Sequence, residues 1–482
     1  MNLGLSKRKK ETKALDVTSG VIWKQMLQLM WPIFLGFALQ QTYGISNSII
    51  VGRFAGKTAL GGIQVTMPLM DLAVSLCMGF GAGCGVIVGQ YFGEKDDKNL
   101  HISSCTAMAL SMVGGLIASA LGMLSVRPLL ELMGTPQELM GEAMNFGILY
   151  FGAFAFNIIL NMGAAVMRAI GNSKTPSLII GFTCILNILL DLLFVGVFQL
   201  ESLGCGIATA ISMFTGAAIT LASLHRAKGP WKFDYSELRI DKKIASQMLK
   251  VGVPLGAQAA SFSVSNMLVQ SAVNSFGTNA ITGWGLTLRF HGLVWMVADA
   301  LAITVTAFCA QNFGAQHFDR MRKCVKVTYV FIFGGIGALA LFLFIFVPQL
   351  SPIFINDPEV TEITTHMVRF TIPFIMFYSV ADATSGAIRA TGESVKPMMI
   401  TIFSTCILRI GWVEVMLPHY HYIETIMISY PVSWFAAALM FMIYYKRGRW
   451  LEVAIQNKEQ QIAELEDKTQ LIEEAQTACT GL

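Results

Sequence analysis

The chain has 482 residues, 54% of them hydrophobic and only 13% charged, about half the charged share of an average soluble protein, which excludes an ordinary soluble enzyme. Its 34 basic and 30 acidic residues leave a net charge of +4, too small for a nucleic-acid reader, so no nucleic-acid partner is expected. The nine cysteines are an odd number, most of them in or beside apolar runs, which argues against a disulfide framework.

A bilayer span needs roughly 20 mostly apolar residues. Runs of that kind follow one another from Val21 to Tyr445 with one long polar break. They predict an all-α polytopic membrane protein of twelve transmembrane helices embedded in the lipid bilayer. The spans begin near Gln25, Gly62, Leu100, Met140, Ser177, Gly204, Met248, Ile281, Cys324, Thr364, Pro397 and Ile423. The basic start, Lys7-Arg8-Lys9-Lys10, precedes a run that holds Pro32 and leads into further spans without a small-residue cleavage site, so the first span is read as retained. The expected organisation is a cytoplasmic N-terminal segment 1–20, an N-lobe 21–224 with spans 1–6, a cytoplasmic linker 225–246, a C-lobe 247–445 with spans 7–12, and a cytoplasmic tail 446–482. From Trp450 onward the tail reads as a polar, solvated amphipathic helix with Ile455, Ile462, Leu465 and Ile472 on one stripe. Of the 34 lysines and arginines, 28 fall in segments on the side of the N-terminus. The positive-inside rule then places both termini in the cytoplasm.

The two halves repeat. At an offset of 222, later 221, Gln25, Met26, Leu27 and Pro32 match Gln247, Met248, Leu249 and Pro254, and Gln90 to Gly93 matches Gln311 to Gly314. Arg168-Ala169-Ile170-Gly171 and Pro176 match Arg389-Ala390-Thr391-Gly392 and Pro397. Six spans per repeat give two bundles in the same sense, related by an axis along the membrane normal, which is a transporter plan. A cavity walled by spans 1, 2, 7 and 8 is expected between them. Gly52 to Thr58 resembles a phosphate loop but has three residues between its glycines where the motif has four, and Gly79 to Gly85 is read as close helix packing rather than a dinucleotide turn.

The repeated Gln-x-x-Gly and Arg-x-x-Gly-x-x-x-x-Pro, with Leu203 to Ala210, Leu408-Arg409-Ile410 and Tyr430-Pro431-Val432-Ser433-Trp434, resemble the multidrug and toxic compound extrusion (MATE) family over about Val21 to Arg449. The resemblance implies a secondary antiporter of the plasma membrane, driven by inward proton or sodium movement, that exports small amphipathic organic cations or drugs by alternating access. No enzyme activity, no cofactor and a monomer are expected. Many family members hold the ion with an Asp on span 1, an Asn and an Asp one turn apart on span 5, and a Thr on span 6. Carried over, that set is Asn47, Asn187, Asp191 and Thr209, with Asn47 standing where the family usually has an Asp. A lipid-linked saccharide or lipid flippase of the same superfamily, and a receptor or scaffold without transport, are the alternatives.

Asp191 is a functional candidate without the family, because an ionisable group at membrane depth costs several kcal/mol by roughly any scale unless paired or hydrated. Asn187 lies four residues before it, on the same helix face. Sodium and proton both remain open as the coupling ion. Gln40, Tyr43, Asn266, Gln270 and Asp382 are the candidate substrate-cavity residues, Asn266, Gln270 and Asn274 forming a polar stripe on span 7. Asp382 stands seven residues before Arg389 on one face. Asp71 and Asp299 are expected toward the outer starts of spans 2 and 8, and Arg409 is expected to pair with Glu414.

Overall fold

The computed structural model describes residues 14–355, 357–456 and 459. The Lys7 to Lys10 cluster and the tail positions Ile462, Leu465 and Ile472 lie outside them. Among the described residues the chain is helical throughout, and its helices form twelve traverses. In the first half these are α1 (Ile22–Phe54), α2 (Gly56–Glu94), α3 (Asp97–Leu132), the pair α4 (Gln137–Gly152) and α5 (Phe154–Ala169), α6 (Lys174–Asp191), which runs on into a π turn at Leu192–Val197, and α7 (Glu201–His225). In the second half they are α8 (Lys242–Asn274), α9 (Thr278–Gly314), α10 (Phe318–Phe331) joined by a π turn to α11 (Gly337–Leu350), α12 (Pro358–Thr371) with α13 (Ile375–Arg389), α14 (Val395–Thr401) joined by a π turn to α15 (Leu408–Met416), and α16 (Ile423–Lys446).

The ends follow ordinary capping chemistry. Asp96 accepts from the Asn99 N–H at the start of α3, and Asp241 accepts from the Ile244 N–H at the start of α8. The second lobe therefore starts its first helix at Lys242, inside the stretch read from sequence as linker. Nine traverses are long and apolar enough to span a membrane on that basis alone, counting the bent α4–α5 pair. The three that fall short are α1, α8 and α12–α13. The first two carry Gln40, Gln41 and Asn47, or Gln258, Asn266 and Gln270, at membrane depth.

The repeat is written into the backbone. Both α1 and α8 have 33 residues, with Pro32 and Pro254 at equivalent places inside them. The fourth traverse bends by 47° at Ala153, and its counterpart breaks into a 3-10 turn at Ile372–Phe374. Lys95 and Gln316, 221 apart, both adopt φ of 59°, a left-handed conformation that non-glycine residues seldom take. Gly171 and Gly392, also 221 apart, take φ of +81° and +94°, where glycine carries no steric penalty.

The lobes meet mainly through α2 against α8 and α9, and also through α1 against α9. A β-carbon at Gly79 would strike the backbone of Gly256, and one at Gly83 the backbone of Gly252, so small residues let these helices touch as the sequence suggested. The described start of the tail departs from the solvated reading: Trp450, Leu451 and Ala454 are buried with Phe441, Phe313 and Val17 at the end of the bundle where both termini emerge.

Candidate ion site and the lobe junction

α6 and α7 bring three polar side chains into the interior of the N-lobe. Asp191 is 0% exposed, Asn187 4% and Thr209 6%. Asp191 is the last residue of α6 before the π turn, a helix irregularity that often accompanies functional sites. From α1, Asn47 faces the same place: its Nδ2 donates to the Tyr43 hydroxyl at 3.1 Å, and its Oδ1 accepts from the Cys205 thiol at 3.4 Å. The Tyr43 hydroxyl and the Cys205 thiol both stand beside Asp191 and Thr209. All four positions derived from the span 1, 5 and 6 pattern are thus gathered at one point. Cys205 reaches Asp191 without the geometry of a hydrogen bond, being committed to Asn47.

The distinctive property of this cluster is unmet acceptor capacity. Asn187 Oδ1, both carboxylate oxygens of Asp191 and Thr209 Oγ1 are buried with no hydrogen-bond partner. Buried polar atoms are ordinarily satisfied, and a carboxylate with an amide and a hydroxyl oxygen beside it can take a cation or a proton. Their chemistry fits sodium, which takes oxygen ligands, as well as it fits a proton held between a carboxyl and an amide.

The candidate cavity residues separate. Gln40 is exposed on α1, next to Gln41, whose amide approaches Gly292 of α9. Tyr43 joins the Asp191 cluster through its bond with Asn47. Gln270 donates to Asn274 Oδ1 at 3.0 Å along α8, while Asn266 accepts a long 3.4 Å bond from Arg409. Asp382 is held by Arg389 at 3.4 Å. Asp71 is exposed on α2. Asp299, expected near the outer start of its span, sits 21 residues beyond Thr278 in α9, about 30 Å along the helix at 1.5 Å per residue, within electrostatic range of Asp382 and Arg389. The expected Arg409–Glu414 pair does not form. Glu414 is exposed, and the Arg409 guanidinium is buried against Ser433, Asn266 and the ring of Tyr430. Five residues along an α-helix turn about 140° away from the starting face, so the two side chains diverge.

Sequence reasoning missed two features. Cys205 stands four residues before Thr209, one turn away on the same helix face, and that spacing was the available signal. The second is the lobe junction. Gln90 Nε2 donates to the Ala390 carbonyl at 2.8 Å, and Gln311 Nε2 donates to the Ala169 carbonyl at 2.7 Å. Each repeated glutamine therefore crosses to the alanine that follows the repeated arginine of the other lobe. A β-carbon at Gly93 would overlap the Gln311 carbonyl, and one at Gly314 the Gln90 carbonyl. The segment before α1 adds to this junction: the Val17 N–H donates to Gln311 Oε1 at 3.1 Å, and its carbonyl accepts from Asn312 at 3.2 Å and Arg320 at 2.9 Å. Among the described residues, the hydrogen bonds between the lobes gather at this one end.

The MatE family profile matches residues 32–193 and 254–412, one stretch in each lobe. The chain is 28% identical to the probable multidrug resistance protein YoeA of Bacillus subtilis over 436 residues, 88% of this chain and 94% of that one. It is 22% identical to the probable multidrug resistance protein NorM of Thermotoga maritima over 91% of this chain and 95% of that one, and 25% identical to a FAD transporter of Shewanella oneidensis over 68% and 72%. In fold it is similar to a multidrug resistance MATE family transporter solved in an outward-facing conformation, with a TM-score of 0.85 at 19% identity over 93% of this chain and all of that one. With most of both lobes covered by the family profile, and the fold and repeat in agreement, this chain belongs to the MatE family.

Proposed function

We propose that this protein is a multidrug efflux transporter, an ion-coupled antiporter that moves small amphipathic organic molecules by alternating access between its lobes. The observation that carries the reading is Asp191, a carboxylate at membrane depth whose oxygens have no partner, set among the unpartnered oxygens of Asn187 and Thr209. A buried carboxylate without a counter-charge is costly. It must be neutralised, and a mobile ion that neutralises it links lobe conformation to ion movement. Proton and sodium leave the pocket with the same net charge, so geometry decides between them. Asn47 in place of a carboxylate weakens a sodium cage more than it weakens a single titrating group, which favours the proton. The names of the relatives, multidrug resistance and multidrug export proteins, support efflux as the physiological direction.

The distribution of basic residues supports cytoplasmic termini in the plasma membrane. In that orientation the Gln90–Ala390 and Gln311–Ala169 junction closes the cytoplasmic end, and exposed polar groups such as Gln40 and Asp71 face the outer opening. Asp71 and Asp299 would accommodate cationic groups on a substrate. The direct test is the purified chain in proteoliposomes with a fluorescent amphipathic cation, under an imposed proton gradient and, separately, a sodium gradient. Uphill transport under the proton gradient is expected; dye that stays at equilibrium under both gradients contradicts the reading.

A further inference from the structure

The two lobes leave different buried polar atoms unmet. In the N-lobe these are the Asp191 carboxylate oxygens with Asn187 Oδ1 and Thr209 Oγ1. In the C-lobe, beside the unpartnered His291 Nδ1, the indole N–H groups of Trp295 and Trp434 are buried with no partner. Both belong to one aromatic cluster, in which Trp434 stands 5.4 Å from Tyr430, 6.2 Å from Tyr378 and 6.0 Å from His291, and Trp295 stands 5.7 Å from His291. An indole nitrogen can only donate.

Arg409 lies in the middle of this region and is 0% exposed. Its guanidinium carbon sits 4.1 Å over the Tyr430 ring, a cation–π contact that offsets part of the cost of burial. The nearby Arg389 is paired with Asp382; Arg409 has no carboxylate partner among the described residues. Of its five N–H groups, Nε and Nη2 each give one to Ser433 Oγ, at 3.2 and 2.9 Å, and Nη1 gives one to Asn266 Oδ1 at 3.4 Å. The side-on edge of the fork is thus used on Ser433. The end-on edge, Nη1 with Nη2, carries only the long bond to Asn266, a half-buried residue of α8 on the lobe-facing wall.

The repeat sharpens the contrast. At the offset of 221, Thr209 of the ion site corresponds to Tyr430, and Asp191 corresponds to Trp412. Where the N-lobe holds the carboxylate of Asp191, the C-lobe holds the fixed cation of Arg409 stacked on Tyr430. A fixed, desolvated positive charge with one uncommitted N–H on each Nη matches the two oxygens of a carboxylate. Phe262, with the Arg409 guanidinium carbon 5.8 Å over its ring, supplies flat apolar surface beside it.

We propose that the C-lobe receives the carboxylate of an aromatic organic acid on the end-on edge of Arg409, with Asn266 turning aside to admit it. This rests on the export reading above and names the substrate class of the second lobe: amphipathic molecules that carry an anionic group, alone or alongside a cationic one. The site is independent of Asp191, so ion and substrate occupy different lobes.

The test is equilibrium binding of pyrenebutyric acid and of its methyl ester to the purified full chain in detergent, read by pyrene fluorescence with no ion gradient. The two probes share the aromatic body and differ in the charge. The acid is expected to bind about 30-fold more tightly than the ester, the scale of one desolvated charge-assisted pair. Arg409→Gln is expected to bring the ratio close to one, and Arg409→Lys, which keeps the charge without the fork, to retain part of it. The ratio is internal to each protein, so loss of folded material lowers both signals and leaves it unchanged. Equal binding of acid and ester by the unaltered protein overturns the proposal, as does a full acid preference in Arg409→Gln. Absence of gradient-driven transport in proteoliposomes would contradict the export reading and leave this ratio untouched.

Discussion

Asp191 is the only carboxylate among the described residues of the proposed N-lobe ion site, where the amide, hydroxyl and thiol groups of Asn47, Asn187, Thr209 and Cys205 surround it. Asn47→Asp places a second carboxylate on the α1 side of the cluster. A second negative charge raises the demand for a cation with several oxygen ligands, so export by this variant is expected to become steeply dependent on external sodium, measured as transport rate against sodium concentration at fixed pH. Thr209→Val keeps the shape and removes one oxygen; about a tenfold loss in ion affinity is expected from one lost ligand, on the scale of a net hydrogen bond to a charged group. The Asn187–Asp191 pair was legible in the sequence because a four-residue spacing fixes a shared helix face whatever the tertiary fold. Tyr43 and Arg409 were not legible to the same degree. Their partners come from other helices, and nearness in sequence pointed Arg409 to Glu414, on the far side of its own helix.

At the scale of elements, α1 and α8 read poorly as spans because they carry polar residues such as Gln40, Gln41, Asn266 and Gln270, whereas α2 and α9, which carry the junction glutamines, read clearly as spans. Their placement from the sequence rested on apolar runs between charged or Gly/Pro breaks, and the repeat, through Pro32 and Pro254, then related one to the other. The exchanged bonds of Gln90 and Gln311 close one end of the interface with only backbone carbonyls as acceptors. They can break and reform without leaving a buried charge. Gly93→Ala and Gly314→Ala each put a methyl group where the opposite glutamine's backbone lies, an overpacking cost of about 1–3 kcal/mol carried only by the closed junction. Either variant is expected to shift the population toward the state open at this end. Spin-label distances between the Glu94 end of α2 and the Gly314 end of α9 would lengthen, while substrate binding at the opposite opening falls. Unchanged distances in both variants would mean that the junction is not a moving gate.

The whole molecule is two six-traverse lobes on one plan with different contents: a buried carboxylate at Asp191 in the first, a buried fixed cation at Arg409 in the second. The number of spans and the duplication were readable from apolar runs and in-order matches, because both constraints act along the chain. The asymmetry of the lobes was not, since it depends on which buried atoms find partners in three dimensions. Alternating access requires the lobe interface to open at each end in turn. Cysteines placed at Gln40 and Asn266 are expected to change their labelling rates when transported substrate is added, because they lie on facing lobes along the path. Labelling indifferent to substrate at both positions would count against a shared route.

The central claim is that Asp191 couples an ion to movement of the lobes without holding the substrate, and one measurement separates those roles. Asp191→Asn in proteoliposomes is compared with the unaltered protein in two modes: uphill export driven by an ion gradient, and counterflow, in which labelled substrate exchanges against unlabelled substrate with no gradient. A neutral amide mimics the neutralised carboxyl, so the variant should keep counterflow within a few-fold, about 1 kcal/mol or less in barrier height, and lose uphill export. Uphill export at the unaltered rate in Asp191→Asn would contradict the account.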